Sequence, residues 1–201
     1  MYTIIKKIIL KTIRVRQKIM RCYYRDKTLI MANLKGVHCE LGKDILFEVP
    51  VHVNGRGHVL IKDNVGLGYP LSVRLGNGDI LLQARREKSE LVIGKNSYLS
   101  NNTSIIACAK IEIGEKCLIG DGVTIMDSDF HDINPLTRHS GKGGIAPIKI
   151  GDNVFIGSRA FVLKGVSIGD NSVIAPMSVV TKNIPKNKVA GGIPAKLIQD
   201  I

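Results

Sequence analysis

The chain contains no tryptophan, and aromatic residues make up only 4% of it. A core built around large rings is excluded, which leaves narrow packing by aliphatic and small side chains. No apolar run approaches the roughly 20 residues that a membrane-spanning helix requires. Nor does an apolar stretch precede a small-residue cleavage site near the start, so a cytoplasmic protein without a leader is expected. The four cysteines, Cys22, Cys39, Cys108 and Cys117, show no CxxC or other metal spacing. They are expected to be reduced and to act as small hydrophobes. His38, His52 and His58 likewise show no ligand spacing, and no metal is expected. Acidic residues are scarce at one end only. Residues 1–36 hold ten Lys/Arg and one acid, a balance of +9, whereas the other 165 residues hold 19 against 16. The net charge of +12 therefore belongs to the N-terminal segment, and nucleic-acid binding by the whole chain is not supported.

What the sequence does have is a period of six. Ile150, Ile156, Val162, Ile168, Ile174 and Val180 recur at that interval, and the first five are followed four residues later by Val154, Ala160, Val166, Ser172 and Ser178. Upstream, Ile93, Leu99, Ile105, Ile113 and Ile119 continue the pattern, giving ten hexads in all. Six is neither the 3.6 of a helix nor the 2 of a strand; it is the spacing of a β-helix in which each hexad forms one side of a coil. The 201 residues suffice for one such solenoid over 37–201, with a small appendage at 1–36. Within the appendage, residues 3–25 predict an amphipathic helix. Lys7, Lys11, Arg14, Lys18, Arg21 and Arg25 fall on one face, and Ile5, Ile9, Ile13, Met20 and Tyr24 on another, helped by Ile8, Ile19 and Tyr23. Two fates fit this helix equally: contact through residues 1–30 with an anionic membrane at its inner face, or packing on the solenoid or a second subunit.

Residues 37–92 form an imperfect start with turns at NGRG (54–57) and GNGD (76–79). The run Arg85-Arg86-Glu87-Lys88 reads as a solvated turn, or else as a charged mouth to a site. Two breaks interrupt the good hexads. The step from Ile105 to Ile113 is eight residues, a small bulge at a corner. The second break, 126–147 (MDSDFHDINPLTRHSGKGGIAP), leaves the repeat and returns in phase at Ile148 to Ile150. A long polar excursion from a regular solenoid points to a functional loop.

The hexads, the DSDFHD loop, the return IGDNVFIG and the ending VVTKNIPKNKVAGGIPAKLI resemble the hexapeptide-repeat acyltransferase superfamily, within it the maltose, galactoside and bacterial polysaccharide sugar O-acetyltransferases. The resemblance covers roughly residues 60–201. It implies an all-β fold, a left-handed parallel β-helix with a protruding loop, here carrying an N-terminal α-helix. It also implies a homotrimer with active sites between subunits and acetyl-CoA as co-substrate. The implied acceptor is a sugar hydroxyl, such as that of a bacterial surface polysaccharide or its precursor. On the matching positions His131 becomes the catalytic base, a fitting role for an imidazole that must activate an alcohol. Asp129 would orient it, or else stabilise the turn. On the acceptor side the family's Asn falls within Ser100-Asn101-Asn102. Strict alignment gives Ser100, and Asn101 is the residue chosen. Phe155 stands for a family Trp and keeps an apolar wall. On the donor side Ser158 and Pro176 match backbone contacts to the thioester and pantetheine arm, and Thr181 and Lys182 match positions near the nucleotide. Lys196 replaces an Arg, and Gln199 replaces a second basic residue. His139 matches no family position. The implied mechanism is direct transfer without a covalent enzyme intermediate. Its rivals are N-acetylation of a nucleotide-linked amino sugar, antibiotic acetylation, and a non-catalytic solenoid scaffold.

Overall fold

A period of six lets each side of a coil be one short strand followed by one tight corner, so that three hexads close a triangle. The computed structural model describes residues 2–72, 76–140 and 143–201, and in it six such triangles stack. The first coil is β1 (His38–Leu41), β2 (Leu46–Phe47) and β3 (Val51–Gly55), and the second is β4 (His58–Ile61), β5 (Gly66–Leu67) and β6 (Ile80–Ala84). The third is β7 (Glu90–Ile93), β8 (Tyr98–Leu99) and β9 (Ser104–Ala107), and the fourth β10 (Lys110–Ile113), β11 (Leu118–Ile119) and β12 (Thr124–Met126). The fifth is β13 (Ile148–Ile150), β14 (Phe155–Ile156) and β15 (Phe161–Val162), and the sixth β16 (Ser167–Ile168), β17 (Val173–Ile174) and β18 (Val179–Val180). The first, second and third strands of each coil form three faces, each a parallel sheet. On the second face β19 (Lys188–Gly192) continues the stack, and β20 (Ala195–Asp200) closes it antiparallel. The coil is a left-handed parallel β-helix, as the family resemblance implies.

Register makes the core. Ile93, Ile113 and Ile150 are direct partners on the first face, and Leu99, Ile119 and Ile156 on the second. All six are buried. Each such side chain contributes about 1.5–3 kcal/mol relative to exposure. The Asp-Asn and Lys-Asn hexad corners have a separate cause. Asn64, Asn96, Asn153, Asn171 and Asn187 all take φ between 54° and 58°, a left-handed conformation that Asn tolerates better than other side chains. Their amides then bond along the stack, with Asn153 to Asn171 at 3.0 Å and Asn171 to Asn187 at 2.9 Å.

The N-terminal helix α1 runs Tyr2–Leu34, nine residues beyond the expected end. Nothing in Asp26–Leu34 breaks a helix. It stops at Gly36, whose φ of 72° ends it, while Val37 N donates to Ala32 O. Thr28 and Ala32 are buried against the first coil, and the Thr28 hydroxyl sits between Tyr24 O and Val51 O. Arg21 pairs with Glu48. Every residue from Ile9 to Ile19, by contrast, is exposed. The side chains of Ile5, Lys7 and Ile8, which belong to the expected pattern, lie outside the described residues. Among the described residues no helix is long and apolar enough to cross a membrane.

Candidate active site

The excursion leaves the corner between the third and first faces after β12. Its two feet are tied together: Ser128 and Ile145 form an antiparallel bridge, and Ala146 N donates to Asp127 O at 3.0 Å. Asp127 itself is fully buried. Its carboxylate accepts from Cys108 N at 2.6 Å and Ala109 N at 2.8 Å. Those amides belong to the eight-residue step, so one carboxylate holds both the bulge and the root of the loop.

His131 is exposed on this loop. Its Nδ1 lies 3.3 Å from Arg138 O. A carbonyl only accepts, which assigns the proton to Nδ1 and leaves Nε2 with the basic lone pair. The turn behind it requires Gly143, where φ is 65° and a Cβ would stand 2.7 Å from His131 O. Of the two roles open to Asp129, ring orientation and turn stabilisation, its carboxylate makes no hydrogen bond to the ring, while its carbonyl accepts from His131 N at 2.8 Å. Its carboxylate pairs with Lys164 Nζ at 2.9 Å, and the group that orients the ring is the Arg138 carbonyl. Deeper in the loop, a hydrogen bond from the Thr137 hydroxyl holds the Asp132 carboxyl below its usual range. The Arg85 guanidinium stacks over the Phe130 ring, 4.2 Å from its centroid. Of the two readings of the Arg85–Lys88 turn, this contact places it beside the loop.

The acceptor and donor residues divide between two corners. Asn101 is fully buried, with Oδ1 accepting from Tyr69 N at 2.9 Å and Nδ2 donating to Tyr69 O at 3.1 Å. Within one chain it positions the 69–72 segment and offers no surface to an acceptor, contrary to the role expected of it. Its neighbours are better exposed: the Ser100 hydroxyl bonds Ser72 Oγ at 3.0 Å, and Asn102 bonds Asp121 at 2.8 Å. Ser158 and Pro176 stack on that same corner, one coil apart, with Met177 N donating to Ser158 O. Phe155 lies on the adjoining second face, 45% exposed, between Leu118 and Val173. Thr181 and Lys182 are exposed at the other corner, the one from which the excursion leaves. Lys196 lies on β20 opposite Gly191. One chain thus gathers Asn101, Phe155, Ser158 and Pro176 on one side, and His131, Thr181 and Lys182 on another.

A family model described as bacterial transferase hexapeptide (six repeats) matches residues 147–182. Over 113 residues the chain is 42% identical to the galactoside O-acetyltransferase of Escherichia coli (strain K12), covering 56% of this chain and 55% of that protein. Over 173 residues it is 32% identical to a Staphylococcus aureus (strain Mu50) protein named as an acetyltransferase, covering 79% of this chain and 78% of that one. The chain belongs to the hexapeptide-repeat acyltransferase family. Its fold also matches the solved galactoside acetyltransferase in complex with coenzyme A, with a TM-score of 0.55, 26% identity, and coverage of 94% of this chain and 80% of that one. The chain spans about half the length of the first curated relatives it matches.

Three residues of this hexapeptide-repeat acyltransferase escaped the sequence reading. Lys164 is one coil before Lys182 on the same corner, a stacking visible only once the coil length is counted. Asp121 gathers Asn102 at 2.8 Å and Ser72 at 3.4 Å, but in sequence it is one acid of an ordinary hexad corner. Arg138 acts through its backbone carbonyl, for which side-chain identity gives no signal.

Proposed function

We propose that this protein transfers an acetyl group from acetyl-CoA to a sugar hydroxyl, as a homotrimer with its sites between subunits. The observation that supports this best is His131: an exposed imidazole on a long excursion from the solenoid, with Nδ1 held by a carbonyl and Nε2 left basic. In this reading Nε2 takes the hydroxyl proton as the acceptor oxygen attacks the thioester carbon. The C–S bond breaks, and the proton returns to the leaving thiolate. Exposed backbone along the corner carrying Ser158 and Pro176 suits the amides of a pantetheine arm. Lys182 and Lys196 suit its phosphates, and no further residue of this chain is required for a metal or covalent step. Phe155 would form the apolar wall beside the sugar. Surface polysaccharide or its precursor is the acceptor class we favour, because the basic helix would hold the enzyme near an anionic membrane that carries such substrates.

The test is CoA release, followed with a thiol-reactive dye, from acetyl-CoA and a panel of sugars and glycans. His131→Ala should lose about 10²- to 10⁴-fold in kcat, the usual worth of a general base, while retaining CoA binding. A variant as active as wild type on a working acceptor would remove His131 from the mechanism. No CoA binding by the wild type would favour the scaffold.

A further inference from the structure

We propose that His38, Glu40 and His58 form a binding site for one divalent transition-metal ion on the outer surface of the first two coils. His38 on β1 and His58 on β4 are direct partners across a parallel pair. They are twenty residues apart, which is one turn of the coil at this irregular end. The sequence shows no ligand spacing here because the hexad period that would reveal the turn is disturbed before residue 92. In-register strands hold same-face side chains about 4.8 Å apart, and the two imidazoles accordingly stack with centroids 4.7 Å apart and 21° between planes. Glu40 follows His38 by two residues, so the pleat brings it to the same face.

The distances fit a cation. Glu40 Oε1 lies 3.4 Å from His38 Nε2 and 3.3 Å from His58 Nε2. One donor atom from each of the three residues lies within 4.8 Å of the others. Ligands about 2.05 Å from a tetrahedral zinc ion stand roughly 3.3 Å from one another, so the nitrogen–oxygen separations already match. A small rotation of the rings turns both lone pairs onto a common point.

His58 Nε2 supplies an independent observation. It is closed to solvent and makes no hydrogen bond among the described residues, a state that costs free energy unless a proton or cation satisfies it. One dication shared by the two imidazoles and Glu40 would satisfy it. Glu90, next along the same column on β7, is held by Lys110 at 3.1 Å, so the fourth position falls to water. Imidazole with carboxylate selects zinc, cobalt, nickel or copper, whereas magnesium and calcium prefer all-oxygen sets.

β1 is the edge strand of the first face and has a single neighbour. An ion bridging β1 and β4 would staple the terminal coil, which in a solenoid has the fewest stacked contacts. β7 and β10 separate the site from β13, where the excursion returns. The role is therefore structural, independent of acetyl transfer.

The experiment uses the full-length, untagged protein, stripped with chelator, and titrates it with Co²⁺ by visible absorption and with Zn²⁺ by calorimetry and thermal melting. We expect one ion per chain, Co²⁺ d–d bands of a site with nitrogen and oxygen donors, and a rise in Tm with Zn²⁺. Glu40→Gln and His58→Gln should each weaken Zn²⁺ at least tenfold and remove the rise, while melting like metal-free wild type. His52→Gln, which disturbs the separate two-residue pair with Asp79 (2.6 Å), should keep both. Equal Zn²⁺ affinity in wild type, Glu40→Gln and His58→Gln overturns the site, and so does equal loss in His52→Gln. Binding with no change in Tm overturns the staple.

Discussion

Asp127 has no exposed surface and spends both carboxylate oxygens on the backbone of the preceding coil, 2.6 Å from Cys108 N and 2.8 Å from Ala109 N. Truncating it leaves one buried and one partly buried amide donor without partners, at about 1–3 kcal/mol each. Asp127→Ala is therefore expected to lower Tm by roughly 4–24 °C at 2–4 °C per kcal/mol, whereas Asp127→Asn, which keeps one acceptor, should lose less. Differential scanning calorimetry of the three proteins decides it, and equal Tm values would remove Asp127 from its structural role. The eight-residue step was legible from spacing alone, and so was the excursion carrying His131. The groups that hold them were not. Asp127 acts on amides eighteen and nineteen positions earlier, and Lys164 meets Asp129 across thirty-five. Such pairings follow from coil length and not from local pattern. Asn101 erred for a related reason: the sequence locates the corner but does not say which side chain turns inward.

The solenoid repeats were readable because burial at every sixth position is imposed by register, and each inward Ile or Leu repeats its neighbour one coil away. The helix was readable only in part. Its basic stripe and its beginning are local features, but its continuation from Asp26 to Leu34 follows from packing, where Thr28 and Ala32 replace the charged stripe with a buried seam. This divides α1 into two working halves. The later half closes the first coil. The earlier half is exposed, with Ile9 at 52%, Ile13 at 47% and Ile19 at 61%, beside exposed Lys11, Arg14 and Lys18; around Ile13, Arg16 and Gln17 it shares a cavity with Phe47, Glu48 and Pro70. A helix with exposed apolar and basic sides suits an anionic surface through both, which is the membrane role we propose for it. Removing residues 1–19 should leave the Tm within about 3 °C, since surface changes away from packed features stay within about 0.5 kcal/mol. It should also abolish co-sedimentation with anionic vesicles at low salt. Equal sedimentation of truncated and full-length protein would exclude the membrane role.

Across the whole molecule, the residues assigned to catalysis and to substrate do not meet within one chain. His131, Thr181 and Lys182 occupy the corner between the third and first faces, while Ser158 and Pro176 occupy the corner between the second and third. A third face separates the two. Copies arranged about a threefold axis bring one corner of each chain to the other corner of its neighbour, which is the simplest way to assemble a complete site. The second face carries the matching apolar column: Tyr98, Leu118 and Phe155 are direct partners on consecutive strands, and each is 44–52% exposed. Apolar ladders of this kind are unfavourable in water and mark association surfaces. Its counterpart on the first face is charged, with Glu90 paired to Lys110, as expected of a face left to solvent. Leu118 projects from the middle of the column and holds no assigned role in chemistry. Leu118→Glu places a charge against its own symmetry mates and should give one chain's mass by light scattering where wild type gives three. The monomer should retain the β signature in circular dichroism while losing CoA release, because His131 would then have no neighbouring corner to face. A Leu118→Glu protein that is monomeric and fully active would place the whole site within one chain. A variant that remains trimeric would put the subunit contact on another face.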